Sequence, residues 1–180
     1  MVFRWISKLT STSGSAVPTV KFDAARVTTA VRADIWARIQ EFEDLPVGEE
    51  ERVFETTLRS VASGRDVGLL TNALVEMNVP RSRAAYIATY LNNRATSLMN
   101  VAKASDLGLT EGTWLYSGAP CYGTNNPSFA EREMDAAHKS VNRKKFPLDK
   151  GMNLNGSWTY PGSEPGCKCV MAPVVPGFDK

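Results

Sequence analysis

Hydrophobic and polar positions change rhythm once along this 180-residue chain, near Gly108. Before that point apolar residues return every three or four places, the spacing that gathers them on one face of a helix. Val27, Val31, Ile35 and Ile39, with Trp36 widening the stripe, predict an amphipathic helix from Phe22 to about Phe42. Pro46 and Gly48 break it. Three consecutive glutamates, Glu49 to Glu51, suit the first turn of a second helix reaching about Ala62, because the macrodipole favours negative charge there. A third helix opens on Asp66, a good N-cap, and runs to about Met77. Pro80 separates it from the longest, roughly 81–106. There Ala84, Ala88, Leu91, Ala95, Leu98 and Ala102 alternate in steps of four and three. Small residues at alternate positions let another helix approach this seam closely. An intramolecular helical hairpin is the expected partner, with Leu91 and Leu98 as the largest buried anchors. Gly108 suits the C′ stop.

After Gly108 the vocabulary is that of turns and short strands: seven of the ten prolines and eight of the 13 glycines lie there. TWLYS, 113–117, predicts a strand, and a Pro/Gly/Asn-rich loop follows. Ser128 with Glu131 forms a capping box that opens a helix from Phe129 to about Val141. Further short strands are expected around Phe146, Trp158–Tyr160 and Lys168–Pro173. The fold class is therefore α+β: a helical N-terminal part, 22–108, followed by a small, turn-rich mixed α/β C-terminal module, 109–180. In front of both, Phe3, Ile6 and Leu9 sit at helical spacing with Trp5 beside them, and residues 10–19 form a small, polar linker. Residues 1–21 read as a flexible arm and linker: a frayed terminus is the simpler reading, and docking of the four apolar side chains on a neighbouring subunit is the alternative.

Charge narrows the function classes. With 21 Lys and Arg against 19 Asp and Glu, the net charge is +2, too small for the overall field to drive the chain onto nucleic acid or a membrane. The distribution is uneven, since residues 1–22 carry three bases and no acid while 23–55 carry nine acids and four bases. No apolar run approaches the roughly 20 residues of a bilayer span. The first 20 residues lack the continuous apolar stretch of a secretory leader. Three cysteines are too few for a disulfide framework, so synthesis in a reducing cytoplasm is the expectation.

The chemistry-bearing residues all belong to the module. The single histidine, His138, shares a helix face with Asp135 and Glu131, and a carboxylate could orient its ring for acid–base work. No Ser or Cys nucleophile motif accompanies it, so no catalytic residue is assigned. Cys121, His138, Cys167 and Cys169 are together the number of donors that a closed zinc site requires. Zinc would suit a module too small to rely on a large core. Against it, Cys-Lys-Cys is tighter than a C-x-x-C knuckle. We expect its two sulfurs to face opposite ways unless Gly166 bends the segment. Buried thiols, or a disulfide from Cys121, are the alternatives. The reading adopted is no cofactor, with zinc as the runner-up: one cysteine packs inward, and His138 donates to a backbone carbonyl. Lys139, Arg143, Lys144 and Lys145 form a basic cluster that could neutralise phosphates.

The order LGLTEGTWLYSGAP, MDAAHKSVNRKKFPLDKGM and YPGSEPGCKC resembles the phage Mu F-like head-morphogenesis family. The matching positions are Trp114, Asp135, His138, Phe146, Pro161, Gly162, Cys167 and Cys169, within about 85–173. Arg143 stands where the family's turn has a glycine. The resemblance implies a structural minor head protein of a tailed phage, associated with the portal vertex or capsid interior and needed for head assembly. It implies the portal or major capsid protein as partner, packaged DNA as a further contact, several copies per particle, and no membrane. It places the protein in the virion, and in the host cytoplasm during assembly. The alternative is a metal-dependent nuclease or toxin-like effector using His138.

Overall fold

The computed structural model describes residues 27–123 and 126–178; the arm residues Phe3, Trp5, Ile6 and Leu9 and the linker lie outside them. Four helices come first: α1 (Thr29–Ile39), α2 (Glu50–Ala62), α3 (Val67–Glu76) and α4 (Arg81–Asp106). Each begins where its sequence provides a start. Thr28 Oγ1 accepts from the Val31 amide, and Asp66 accepts from the Leu69 amide at 3.0 Å. Pro80, which needs no amide partner, precedes α4. Val31, Ile35 and Ile39 of α1, Val53 and Val61 of α2, and Leu70 and Leu74 of α3 close over the first half of α4 to make one core. The protein is α+β, with its helices N-terminal and its strands C-terminal.

The predicted seam on α4 holds for half its length. Ala84, Ala88, Leu91 and Ala95 are fully buried against the other helices, whereas Leu98 and Ala102 are only half-buried. Beyond Met99 the buried side chains become Val101 and Ala104, which belong to a second core under the C-terminal strands. The face rotates because α4 changes partners, leaving the helical bundle for a sheet.

That sheet has three antiparallel strands in the order β2–β1–β5: β2 is Lys145–Pro147, β1 is Glu111–Leu115 and β5 is Val170–Pro173. Gly112 faces Phe146 on one side, and Trp114 faces Met171 on the other. A separate hairpin joins β3 (Met152–Leu154) to β4 (Ser157–Thr159). The sequence pattern omits β3, since three residues after Gly151 are too few to show a period. Between β1 and β2 lies α5 (Phe129–Ser140), opened by the predicted capping box: Ser128 Oγ accepts from the Glu131 amide, and Glu131 accepts from the Ser128 amide.

One side chain fastens the helices to the module. Arg94 donates to both oxygens of Asp34 on α1, at 2.5 and 2.7 Å, and its third nitrogen donates to the Ser163 carbonyl at 2.6 Å. Such two-pronged charge-assisted bonds fix geometry as well as adding stability. Ser97 Oγ donates to the Pro161 carbonyl nearby, at 2.6 Å.

Leu91→Ala, at a fully buried site, is expected to cost about 2–5 kcal/mol by chemical denaturation. Leu98→Ala should cost clearly less, because its side chain keeps partial contact with solvent. Equal losses would mean that the rotation of the buried face is wrong.

Candidate metal centre

Three separated segments deliver four donors to one point. Cys121 comes from the loop after β1, His138 from the last turn of α5, and Cys167 and Cys169 from the segment leading into β5. All four residues are at most 3% exposed. Cys121 Sγ is 3.6 Å from Cys169 Sγ and 3.9 Å from Cys167 Sγ. His138 Nδ1 lies 3.2, 3.3 and 3.8 Å from the sulfurs of Cys121, Cys167 and Cys169. The four donor atoms all fall within 4.8 Å of one another.

Those separations can be compared with a coordination tetrahedron. With sulfurs at 2.3 Å and a nitrogen at 2.0–2.1 Å from a common centre, its edges are about 3.5–3.8 Å. The observed separations bracket that range, and three sulfurs with one imidazole are a donor set that structural zinc takes. The cluster could therefore hold a metal such as zinc. A disulfide is not formed, as all three cysteines are free.

Two expectations are corrected here. Instead of one inward cysteine, all three are buried, and His138 Nδ1 meets sulfurs rather than a backbone carbonyl. The supposed opposition of the Cys-Lys-Cys sulfurs also fails. Side chains two apart on an extended chain share a face, so Cys167 and Cys169 turn inward together while Lys168 turns out. Gly166 still matters, for a different reason. It has φ 72, and a Cβ on it would stand 2.9 Å from the Cys121 carbonyl oxygen. Only glycine lets the two sulfur-bearing segments come this close.

The shared protons push two of the sulfurs in opposite directions. The Gly162 amide donates to Cys167 Sγ at 3.3 Å. Hydrogen bonds from Cys121 and Cys167, aided by a Ser117 backbone bond, hold the Cys169 thiol down at about 3 against the opposing effect of burial. The same sharing of protons pushes Cys167 up. Trp114 lies edge-on to the imidazole with ring centroids 5.1 Å apart, and Phe146 lies 6.2 Å beyond it.

Asp135 does not orient His138. It accepts from the Tyr116 hydroxyl at 2.9 Å and from the Cys121 amide at 2.8 Å, so it holds the loop that carries the first cysteine. Burial, and then Asp135, push the Tyr116 hydroxyl well above its ordinary value. Glu131 is spent on the capping box. Sequence reasoning named Asp135 for the wrong partner, missed Tyr116, and gave Gly162 only as a motif position without its bond to Cys167. The signal for Asp135 was its position one helical turn before the histidine, which cannot tell which neighbour it serves. Lys139, Arg143, Lys144 and Lys145 are exposed at the end of α5 and in the turn into β2, and the structure does not bring them to the four donors.

Comparison of the chain with family models, with curated proteins and with solved structures gives no match. Among the described residues, no helix is long and apolar enough to cross a membrane.

Gly166→Ala is expected to destabilise the protein by more than about 1 kcal/mol, because alanine strains at positive φ and its methyl meets the Cys121 backbone. Gly177→Ala, at φ 85 but with open space around it, serves as the control for backbone strain alone. Denaturation curves that coincide for the two variants would refute the close-approach argument.

Proposed function

We propose that Cys121, His138, Cys167 and Cys169 bind one zinc ion as a closed structural site, and that the protein is a structural minor head component of a tailed phage. The observation that carries the first part is the buried convergence of four soft or borderline donors from three segments. When bound, zinc would reinforce the small core of the module by joining its loop, its helix and the segment leading into its final strand. The hydrogen bonds around Cys169 favour the deprotonated ligand that zinc needs.

The head-protein part rests on the resemblance of motifs, and one feature of their placement supports it. Trp114, His138, Phe146, Cys167 and Cys169, which carry the resemblance, all belong to a single cluster rather than to scattered surfaces. Arg143 has φ 65, the backbone that the family's glycine adopts readily. A nuclease working through His138 is disfavoured. Its ring is 1% exposed, its Nδ1 is committed to the sulfurs, and four protein donors leave no position for an activating water. By this reading the portal or major capsid protein is the partner.

Freshly purified protein should contain about one zinc per chain by elemental analysis. Chelation should lower its melting temperature, as should Cys167→Ser. Acid should do the same: the bound sulfurs are thiolates, so protons compete with metal and the holo form is lost as pH falls. Zinc-free protein with an unmoved melting temperature would end the metal reading. Mass spectrometry of purified phage heads tests the second part. A chain absent from particles that degrades DNA would overturn it.

A further inference from the structure

A cleft of about 290 Å³ lies on the other side of the Cys-Lys-Cys segment, between α4 and β5. Its α4 wall is a polar stripe at helical spacing, Thr89, Asn93, Thr96 and Asn100, on a helix whose other faces serve two apolar cores. The opposite wall is the Pro161–Gly162 turn and the start of β5, including Met171. Arg65 and Lys168 both line the cleft, and no acidic side chain does. Neither cation makes an ion pair among the described residues.

The cleft holds unspent donors. Arg65 gives one of its five N–H groups to Asn93 Oδ1. Asn93 is fixed in turn, because its Nδ2 donates to the Cys167 carbonyl at 3.1 Å. Lys168 Nζ donates to the carbonyls of Pro120 and Tyr122, at 3.0 and 3.4 Å, which holds the ammonium beside the cleft, over the Cys121 loop, without cancelling its charge. Thr96 Oγ1 is buried and has no hydrogen-bond partner in the protein, although a helical threonine ordinarily bonds back to the preceding turn. Arg65 is held at φ 70, an unfavourable value for a non-glycine residue, by amide bonds from Arg65 and Asp66 to the Ser60 carbonyl. The Gly162 turn is pressed on the Cys-Lys-Cys segment so closely that a Cβ there would stand 3.0 Å from the Cys169 carbonyl, with Ser97 Cβ of α4 at 3.7 Å. The walls are thus fixed before any ligand arrives.

From these features we infer that the cleft binds a phosphate group, free or as a small monoester. Its oxygens accept from the Arg65 guanidinium and the Thr96 hydroxyl, and the Lys168 charge beside the cleft adds to the attraction. The planar guanidinium fork matches two phosphate oxygens, and a monoester's body lies against Met171. This site is distinct from the basic run Lys139, Arg143, Lys144 and Lys145, none of which lines the cleft.

The test uses the full chain and amide NMR, with inorganic phosphate, a nucleoside monophosphate and a duplex oligonucleotide as probes. Inorganic phosphate and the monophosphate should move the Thr96, Gly162 and Met171 amides in a saturable way. Tighter binding of the monophosphate would identify an ester as the ligand, and equal binding would identify the free ion. Arg65→Gln and Thr96→Val should each weaken both by about tenfold or more, while Lys144→Gln changes nothing. Thr96→Val conserves shape, so it decides the matter if Arg65→Gln fails to fold. No shift at these amides, or shifts equal in Thr96→Val and the parent, would overturn the inference. Duplex binding that depends on Arg65 and exceeds that of the monophosphate would also overturn it, assigning the cleft to a polymer backbone.

Discussion

A twelve-residue helix that buries only one side chain must be held by that side chain. This is the position of α5, where His138 alone is buried and Phe129 and Met134 remain exposed. The imidazole among three sulfurs therefore does for the module what an apolar face does for an ordinary helix. Remove the convergence, and the capping box keeps α5 helical while the two hydrogen bonds to Asp135 remain to fix where it lies. Trp114, Tyr116 and Asp135 are arranged around this one requirement. The first packs on the ring, and the other two secure the loop that brings Cys121 back beneath the helix.

The second organising element is α4, whose 26 residues span about 39 Å. It contributes Ala84 to Met99 to the helical core, and Val101 and Ala104 to the core beneath the sheet. Between them its polar face meets the Pro161–Gly162 turn through Ser97, Asn93 and Arg94. The same few turns of helix thus serve a core, a joint and a cleft, which explains why a simple seven-residue repeat does not describe it. Arg94 shows the economy of this arrangement, because it ties α1 to the turn from a helix that belongs to both.

The helices were legible because their signals are local and repeated. Val31, Ile35 and Ile39 announce a face, while Asp66 and Pro80 announce starts. Ser128 with Glu131 locates the beginning of α5 to the residue. The four donors were legible as a set, since a chain with one histidine and three cysteines in one segment offers few combinations. Their arrangement was not. Whether Cys121 folds back over α5 depends on Asp135 accepting its amide and on Gly166 yielding space, and neither contact leaves a period in the sequence. The misreading of Cys-Lys-Cys was of another kind, since strand alternation, correctly applied, already places both sulfurs on one side. The cleft was invisible for a further reason: Arg65, Thr96 and Lys168 come from three elements and share nothing but their final positions.

The separation of the sulfurs along the chain also orders events in time. Contacts between α3 and α4, or between α1 and α2, join neighbours in sequence, and such contacts form early because little chain entropy is lost in closing short loops. Cys121 must instead meet Cys167 across 46 residues and Cys169 across 48. Neighbouring helices such as α3 and α4 can thus pair while the thiols are still apart and accessible to oxidants. A newly made chain passes through an interval in which its cysteines are exposed to wrong pairing, and the length of that interval is set by how fast the last loop closes.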